Sequence, residues 1–144
     1  METLVKASLV YAILVFVSVS MPKASADASN DWRPFPPKVH VHITNNVPDK
    51  ATIVVHCKSR DDDLGAQYIA SGQVYEFAFY VNFTATTLFF CGYHWQAKNV
   101  IGDAFDANRD GGRCKHKCDW TVDGTGIHGM NEFTGVVDYV YPWK

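Results

Sequence analysis

The sequence predicts an all-β protein: a small antiparallel β-sandwich of about eight strands, stapled by two disulfides. Three observations carry this. Short apolar segments alternate with polar residues at a period of two, separated by clusters of Gly, Asn, Asp and Pro. Four cysteines lie in a chain that opens with the pattern of a secretory signal. No segment sustains a helical period, and there is no internal repeat or heptad.

The signal comes first in the chain. Lys6 precedes a mostly apolar run, Ala7 to Met21, that is short for a permanent membrane anchor. Ala24, Ser25 and Ala26 then give the small-x-small pattern that a signal peptidase accepts, so residues 1–26 read as a signal peptide cleaved after Ala26. Residues 27–37, polar and then proline-rich, read as an extended, flexible N-terminal arm, and residues 38–144 as the sandwich domain. Cleavage leaves 118 of the 144 residues, one domain's worth of chain. It also removes Lys6, Lys23 and Glu2, taking the formal net charge from -2 to -3. Mild acidity and scattered lysines exclude a nucleic-acid partner from the expectation. No later stretch is apolar enough to insert the mature chain in a membrane. The expected product is monomeric and secreted, extracellular in the apoplast.

In the domain, Val39, Val41 and Ile43 alternate with His40, His42 and Thr44, which puts the aliphatics on one sheet face. Asn45 to Asp49 is a turn, and Ala51 to Lys58 a second strand, expected to run antiparallel to its neighbour in sequence. Ser59 to Gly65 is a polar loop. Ala66 to Ala70 and Val74 to Val81 are strands joined by Ser71 and Gly72, the longer one pointing Tyr75, Phe77 and Phe79 to one side. Thr86 to Cys91, almost continuously apolar or β-branched, is expected to be buried on both faces near the middle of a sheet. Trp95 to Ile101, Gly102 to Ala107, Trp120 to Val122, Ile127 to Met130 and Phe133 to Tyr141 complete the strands, with turns at Asn108 to Gly112 and Asp123 to Gly126.

Cys57, Cys91, Cys114 and Cys118 are an even set in a secreted chain and read as two disulfides, for which three connectivities are open. The preferred pairing is Cys57 with Cys118 and Cys91 with Cys114, because a direct Cys114–Cys118 bridge closes a very tight loop. A zinc site on Cys114, His116 and Cys118 is the alternative, disfavoured by the oxidising compartment and the absence of paired Cys-x-x-Cys spacing. Asn82, Phe83 and Thr84 form a glycosylation sequon at a turn between strands.

Catalytic chemistry is poorly represented. Ser29, Ser59 and Ser71 lie in polar segments without a nucleophile elbow. Glu76 and Glu132 are not placed as a glycosidase pair. His40 and His42 share a strand face but no third metal ligand is placed beside them by sequence, and Asp61, Asp62 and Asp63 lack the rest of a calcium loop. No catalytic residue, cofactor or metal is expected.

Three blocks carry a family likeness. They are His56-Cys57-Lys58-Ser59-Arg60-Asp61-Asp62-Asp63-Leu64-Gly65, then Thr87 to Cys91 with Trp95 after it, then Arg109-Asp110 followed by Arg113 to Trp120 with Asp123, Gly124 and Gly126 beyond. In these blocks the chain resembles the plant self-incompatibility S1 proteins, the S-protein homologues. The resemblance implies a small secreted β-sandwich with two disulfides, and a non-enzymatic signalling ligand that binds a cell-surface receptor, as in pollen rejection. An apoplastic defence protein with glycan-binding or hydrolytic activity is the alternative. On a rigid sandwich, loops carry recognition, and the candidate receptor-contact loop is Arg60, Asp61, Asp62 and Asp63, which joins a cation to a block of carboxylates.

Overall fold

Val39, Val41 and Ile43 are fully buried and His40 and His42 lie on the opposite, wetter face, so the first alternation in the domain fixes an inside and an outside. In the computed structural model, residue 36 and residues 38–144 are described; the signal segment and the rest of the arm lie outside them. The described elements are β1 (Lys38–Asn45), β2 (Ile53–Lys58), β3 (Asp63–Ile69), β4 (Val74–Tyr80), β5 (Leu88–Trp95), β6 (Lys98–Asp106), α1 (Ala107–Asp110), β7 (Lys117–Val122), β8 (Gly126–Met130) and β9 (Val137–Pro142). They form two sheets, of order β4-β1-β7-β8-β9 and β3-β2-β5-β6, as the all-β sandwich expectation requires. One pair departs from the antiparallel rule: β1 and β7 are parallel.

Between the sheets, Val39, Val41, Ile43, Trp120, Val122 and Ile127 meet Ile53, Val55, Phe89, Tyr93, Val100 and Phe105. Tyr75, Phe77 and Phe79 do share one face of β4, and the Phe77 and Phe79 rings lie 5.2 and 4.4 Å from that of Phe89. Aromatic pairs at such spacing add to the stabilisation of simple area burial.

Several boundaries differ from the sequence expectation. β1 and β2 do not pair, and neither do β3 and β4: the turns at 46–52 and 70–73 carry the chain from one sheet to the other. Asn45 explains how the crossings are held. Its fully buried amide donates to the carbonyls of Ala51 and Ile69, both at 2.8 Å, and its Oδ1 accepts from the Val47 N–H. β5 occupies the middle of its sheet but buries one face only, leaving Leu88 and Phe90 about two-fifths exposed, and it runs unbroken through Trp95. β6 is likewise one strand. The last strand starts at Val137, because Asn131 Oδ1 accepts from the Phe133 and Thr134 N–H groups and Gly135 takes a positive φ of 67°, closing a turn first.

The cysteine pairing is also corrected. Cys57 is bridged to Cys91 and Cys114 to Cys118, not Cys57 to Cys118 and Cys91 to Cys114. Cys57 and Cys91 are direct partners in the β2–β5 register, with Cα atoms 4.0 Å apart. The tight loop is accommodated because α1 and the turn after it bend the chain, bringing the Cα atoms of Cys114 and Cys118 to 5.1 Å.

A buried ionic cluster joins the sheets where sequence shows only a turn. Asp106 caps α1, its side chain accepting from the Asn108 N–H, and Asp110 at the end of the helix is fully buried. The Asp110 carboxylate accepts from the Asp106 N–H at 2.7 Å, from Arg109 Nε and Nη2 at 2.8 and 2.7 Å, and from Arg113 Nη1 at 2.9 Å. Arg109 reaches on to the Tyr141 hydroxyl and the Asp103 carbonyl, and Arg113 to the Asp138 carboxylate at 2.6 Å. The guanidinium of Arg109 stacks 4.4 Å from the Tyr139 ring and that of Arg113 lies 5.4 Å from Trp120. Gly129 is required beneath them, since a Cβ there would come within 2.6 Å of the Trp120 ring.

Two stability outcomes follow from this frame. Asp110→Ala leaves two arginines buried around a missing anion and is expected to cost about 3–5 kcal/mol in a denaturant melt. Chain entropy assigns about 3.8 kcal/mol to the 34-residue separation of Cys57 and Cys91 and about 1.9 kcal/mol to the separation of 4 for Cys114 and Cys118. Replacing the first pair by alanine is therefore expected to lower stability more than replacing the second, measured on the oxidised proteins.

Candidate functional site

The loop between β2 and β3 is shorter than expected, Ser59 to Asp62, because β3 begins at Asp63. Ser59 closes it: its N–H donates to the Asp62 carbonyl at 2.8 Å, and its Oγ accepts from the Asp62 N–H at 3.0 Å. The Cys57–Cys91 bridge anchors the strand that leads into it. A loop tied at its base and across its neck presents its tip at low entropic cost.

The expected contact residues separate into two roles. Asp63 faces Lys58 across a register shift and is committed to the frame: its carboxylate meets His56 Nε2 at 2.5 Å, the Gly65 N–H at 2.9 Å and Lys58 Nζ at 3.4 Å. The His56 hydrogen bond, seconded by Gly65, draws the Asp63 carboxyl down from its ordinary 3.8 to about 2. Arg60, Asp61 and Asp62 are exposed, and among the described residues no ion pair engages any of them. They are the residues of the set left available to another molecule.

The loop forms one wall of a groove of about 490 Å³. The groove is also lined by Phe79 and Tyr80 of β4, by Asn82, Thr86 and Thr87 of the β4–β5 turn, and by Phe89 of β5. Asn82 is exposed and shapes that turn, its Oδ1 accepting from the Thr86 N–H and its Nδ2 donating to Thr86 Oγ1, both at 2.8 Å. The sequon asparagine thus lines the same groove as Arg60 to Asp62.

Elsewhere the structure bears on the other residues singled out in the sequence. Both thiols of the zinc alternative are consumed by the Cys114–Cys118 bridge, and His116 stands exposed 3.7 Å from Glu132. Glu132 is a backbone staple, accepting from the Lys115 and His116 N–H groups at 2.7 and 3.0 Å. Burial works to raise its pKa, but these N–H groups outweigh it and hold the carboxyl below its ordinary value. His40 and His42 meet groups that sequence could not place beside them, Glu76 on β4 and Asp119 on β7. Among the described residues no helix is long and apolar enough to cross a membrane.

Comparison with known proteins bears on the whole domain. Residues 40–143 match the family model described as plant self-incompatibility protein S1. S-protein homolog 6 of Arabidopsis thaliana is 35% identical over 135 residues, covering 91% of this chain and 97% of that protein. Self-incompatibility protein S1 of Papaver rhoeas is 30% identical over 125 residues, covering 85% and 84%. A solved structure described as a self-incompatibility protein homologue, from a widespread family of small, highly stable, secreted plant proteins, superposes with a TM-score of 0.61. It covers 75% of this chain and 96% of its own at 14% identity, a likeness of fold.

The Asp63 pairing has a measurable pH signature. A carboxyl held below its ordinary value contributes stability above that value and loses it as pH falls, here from 3.8 toward about 2. By NMR, the Asp63 carboxyl is expected to titrate near 2, and to move up toward 3.8 in His56→Ala.

Proposed function

Because the chain belongs to the plant self-incompatibility protein S1 family, we propose that it is a secreted, non-enzymatic ligand that binds a cell-surface receptor in cell–cell recognition. Cleavage of the signal after Ala26, release to the apoplast and a glycan on Asn82 belong to the same reading. The observation that carries it is the Ser59 to Asp62 loop: tied at neck and base, it still shows Arg60 and Asp61 to solvent without an ion-pair partner among the described residues. A rigid scaffold that leaves a cation and an anion unpaired at a fixed spacing is suited to charge-complementary recognition of another protein. Asp63 supports the loop and does not belong to the contact.

A glycan on Asn82, which lines the same groove as Arg60 and Asp61, would border the receptor footprint and limit it to the loop side. This is a steric role. It needs no cofactor and no chemistry from the groove itself.

The test is saturable binding of the purified, oxidised protein to pollen tubes and other plant cells. Arg60→Glu combined with Asp61→Lys reverses both charges on an exposed tip, and is expected to weaken binding at least tenfold, about 1.4 kcal/mol, with an unchanged melting temperature. Saturable binding that the reversal leaves intact would move the contact elsewhere on the molecule. No saturable binding in any tissue would end the ligand reading.

A further inference from the structure

The outer face of the five-stranded sheet holds a group of side chains that neither the fold nor the proposed ligand function uses. His40 and His42, two apart on β1, project to that face, since Val39, Val41 and Ile43 between and beside them are buried. The β1–β4 register sets Glu76 directly opposite His42, and the parallel β1–β7 register sets Asp119 beside His42 on the other flank. Three neighbouring strands therefore deliver two imidazoles and two carboxylates to one patch. Glu76 bridges the rings: its Oε1 lies 2.6 Å from His40 Nδ1 and its Oε2 3.0 Å from His42 Nε2. The ligand atoms of His40, His42 and Glu76 all fall within 4.8 Å of one another.

We propose that His40, His42 and Glu76 form a binding site for a zinc- or copper-class dication on this sheet face, with Asp119 as the outer carboxylate that orients His42. The donor set is the one such ions select, imidazole nitrogen with one carboxylate oxygen. Bonds of about 2.0–2.1 Å to a tetrahedral ion place its ligand atoms about 3.4 Å apart, so small side-chain rotations suffice to seat it. His42 is already disposed as a metal ligand: Nε2 faces the site while Nδ1 lies 3.0 Å from Asp119 Oδ1. That is the carboxylate–histidine–metal arrangement which fixes the tautomer and raises the basicity of the ligating nitrogen. Glu76 and Asp119 together carry the charge that offsets a dication.

The nearby cations do not fill the position. Lys117 is held by Asp119 Oδ2 at 2.8 Å, on the side away from His42 Nδ1's partner oxygen, and Lys38 lies over the Tyr80 ring. The site has three protein ligands on a flat sheet face, which leaves the fourth position to water. An ion there clips the edge strand β4 to β1 through side chains, in addition to the ladder.

The experiment is calorimetric titration of Zn²⁺ into the untagged, oxidised, secreted full-length product. One equivalent is expected to bind, with affinity reduced at least tenfold in His40→Ala, His42→Ala and Glu76→Gln, and about ten- to a hundredfold in Asp119→Asn. His56→Ala and His116→Ala are the controls and are expected to bind as the parent does. All of these side chains lie on or near the surface, and Glu76→Gln keeps shape, so the test survives if an alanine variant misfolds. Cu²⁺ added as a second probe is expected to show two imidazole nitrogens by EPR, and one in His40→Ala. Absence of Zn²⁺ binding, undiminished binding in His42→Ala, or an equal loss in the controls overturns the site.

Discussion

The structure hangs on the Asp110 carboxylate. It is wholly buried, and both of its oxygens are hydrogen-bonded: one backbone N–H from Asp106, Nε and Nη2 of Arg109 and Nη1 of Arg113 converge on it. Arg109 then engages β6 and β9 through Asp103 and Tyr141, and Arg113 engages β9 through Asp138. Two cations and two anions thus tie the edge strands of the two sheets together at one end of the sandwich, without any strand being shared. Such a cluster is not a strong net stabiliser against an apolar alternative, but it tolerates no missing member. It therefore specifies how the sheets register more than how tightly they adhere.

Around it, the covalent and polar ties divide the work. The Asp110 carbonyl accepts from the Arg113 and Cys114 N–H groups, so the bend that permits the Cys114–Cys118 bridge grows out of the same cluster. At another place in the sandwich the Asn45 amide satisfies two carbonyls in the strand crossings, and the Cys57–Cys91 bridge locks β2 to β5 through the core. With the frame over-determined in this way, the Ser59 to Asp62 loop and the β4–β5 turn can vary in side chain without cost to the core. An exposed, tied loop and a sheet-face cluster of histidines can then coexist on one small domain, because neither draws on the interior.

Much of this was legible in order of residues. Period-two alternation correctly placed Val39, Val41 and Ile43 inside and gave β4 its aromatic face, and the turn expected at Asp123 to Gly126 is the one that joins the antiparallel β7 and β8. The family likeness rested on blocks now seen to be the β2–β3 loop, β5 and the ionic cluster. Of the candidate contact loop, Arg60, Asp61 and Asp62 lie in the β2–β3 connection, whereas Asp63, exposed as well, opens β3 and meets His56: one residue of shift separates a loop tip from a strand, and His56 is already in β2. β5 was read as doubly buried because composition alone does not say whether a sheet's outer face is covered.

What sequence determined by itself is local: which side of each strand is apolar, where backbone turns are favoured, and that a secreted pattern carries an even number of cysteines. What the tertiary structure alone decided is partnership. That β1 pairs with β4 and, in parallel, with β7; that Cys57 meets Cys91; that Asp110 is buried between two arginines; that Glu76 and Asp119 come to His42: each depends on contacts far apart in sequence. Alternation has no memory beyond its own strand, and several strand orders bury the same apolar faces. The choice among them is made by the sum of side-chain packing and polar satisfaction at the meeting points, which exist only once the chain has closed on itself.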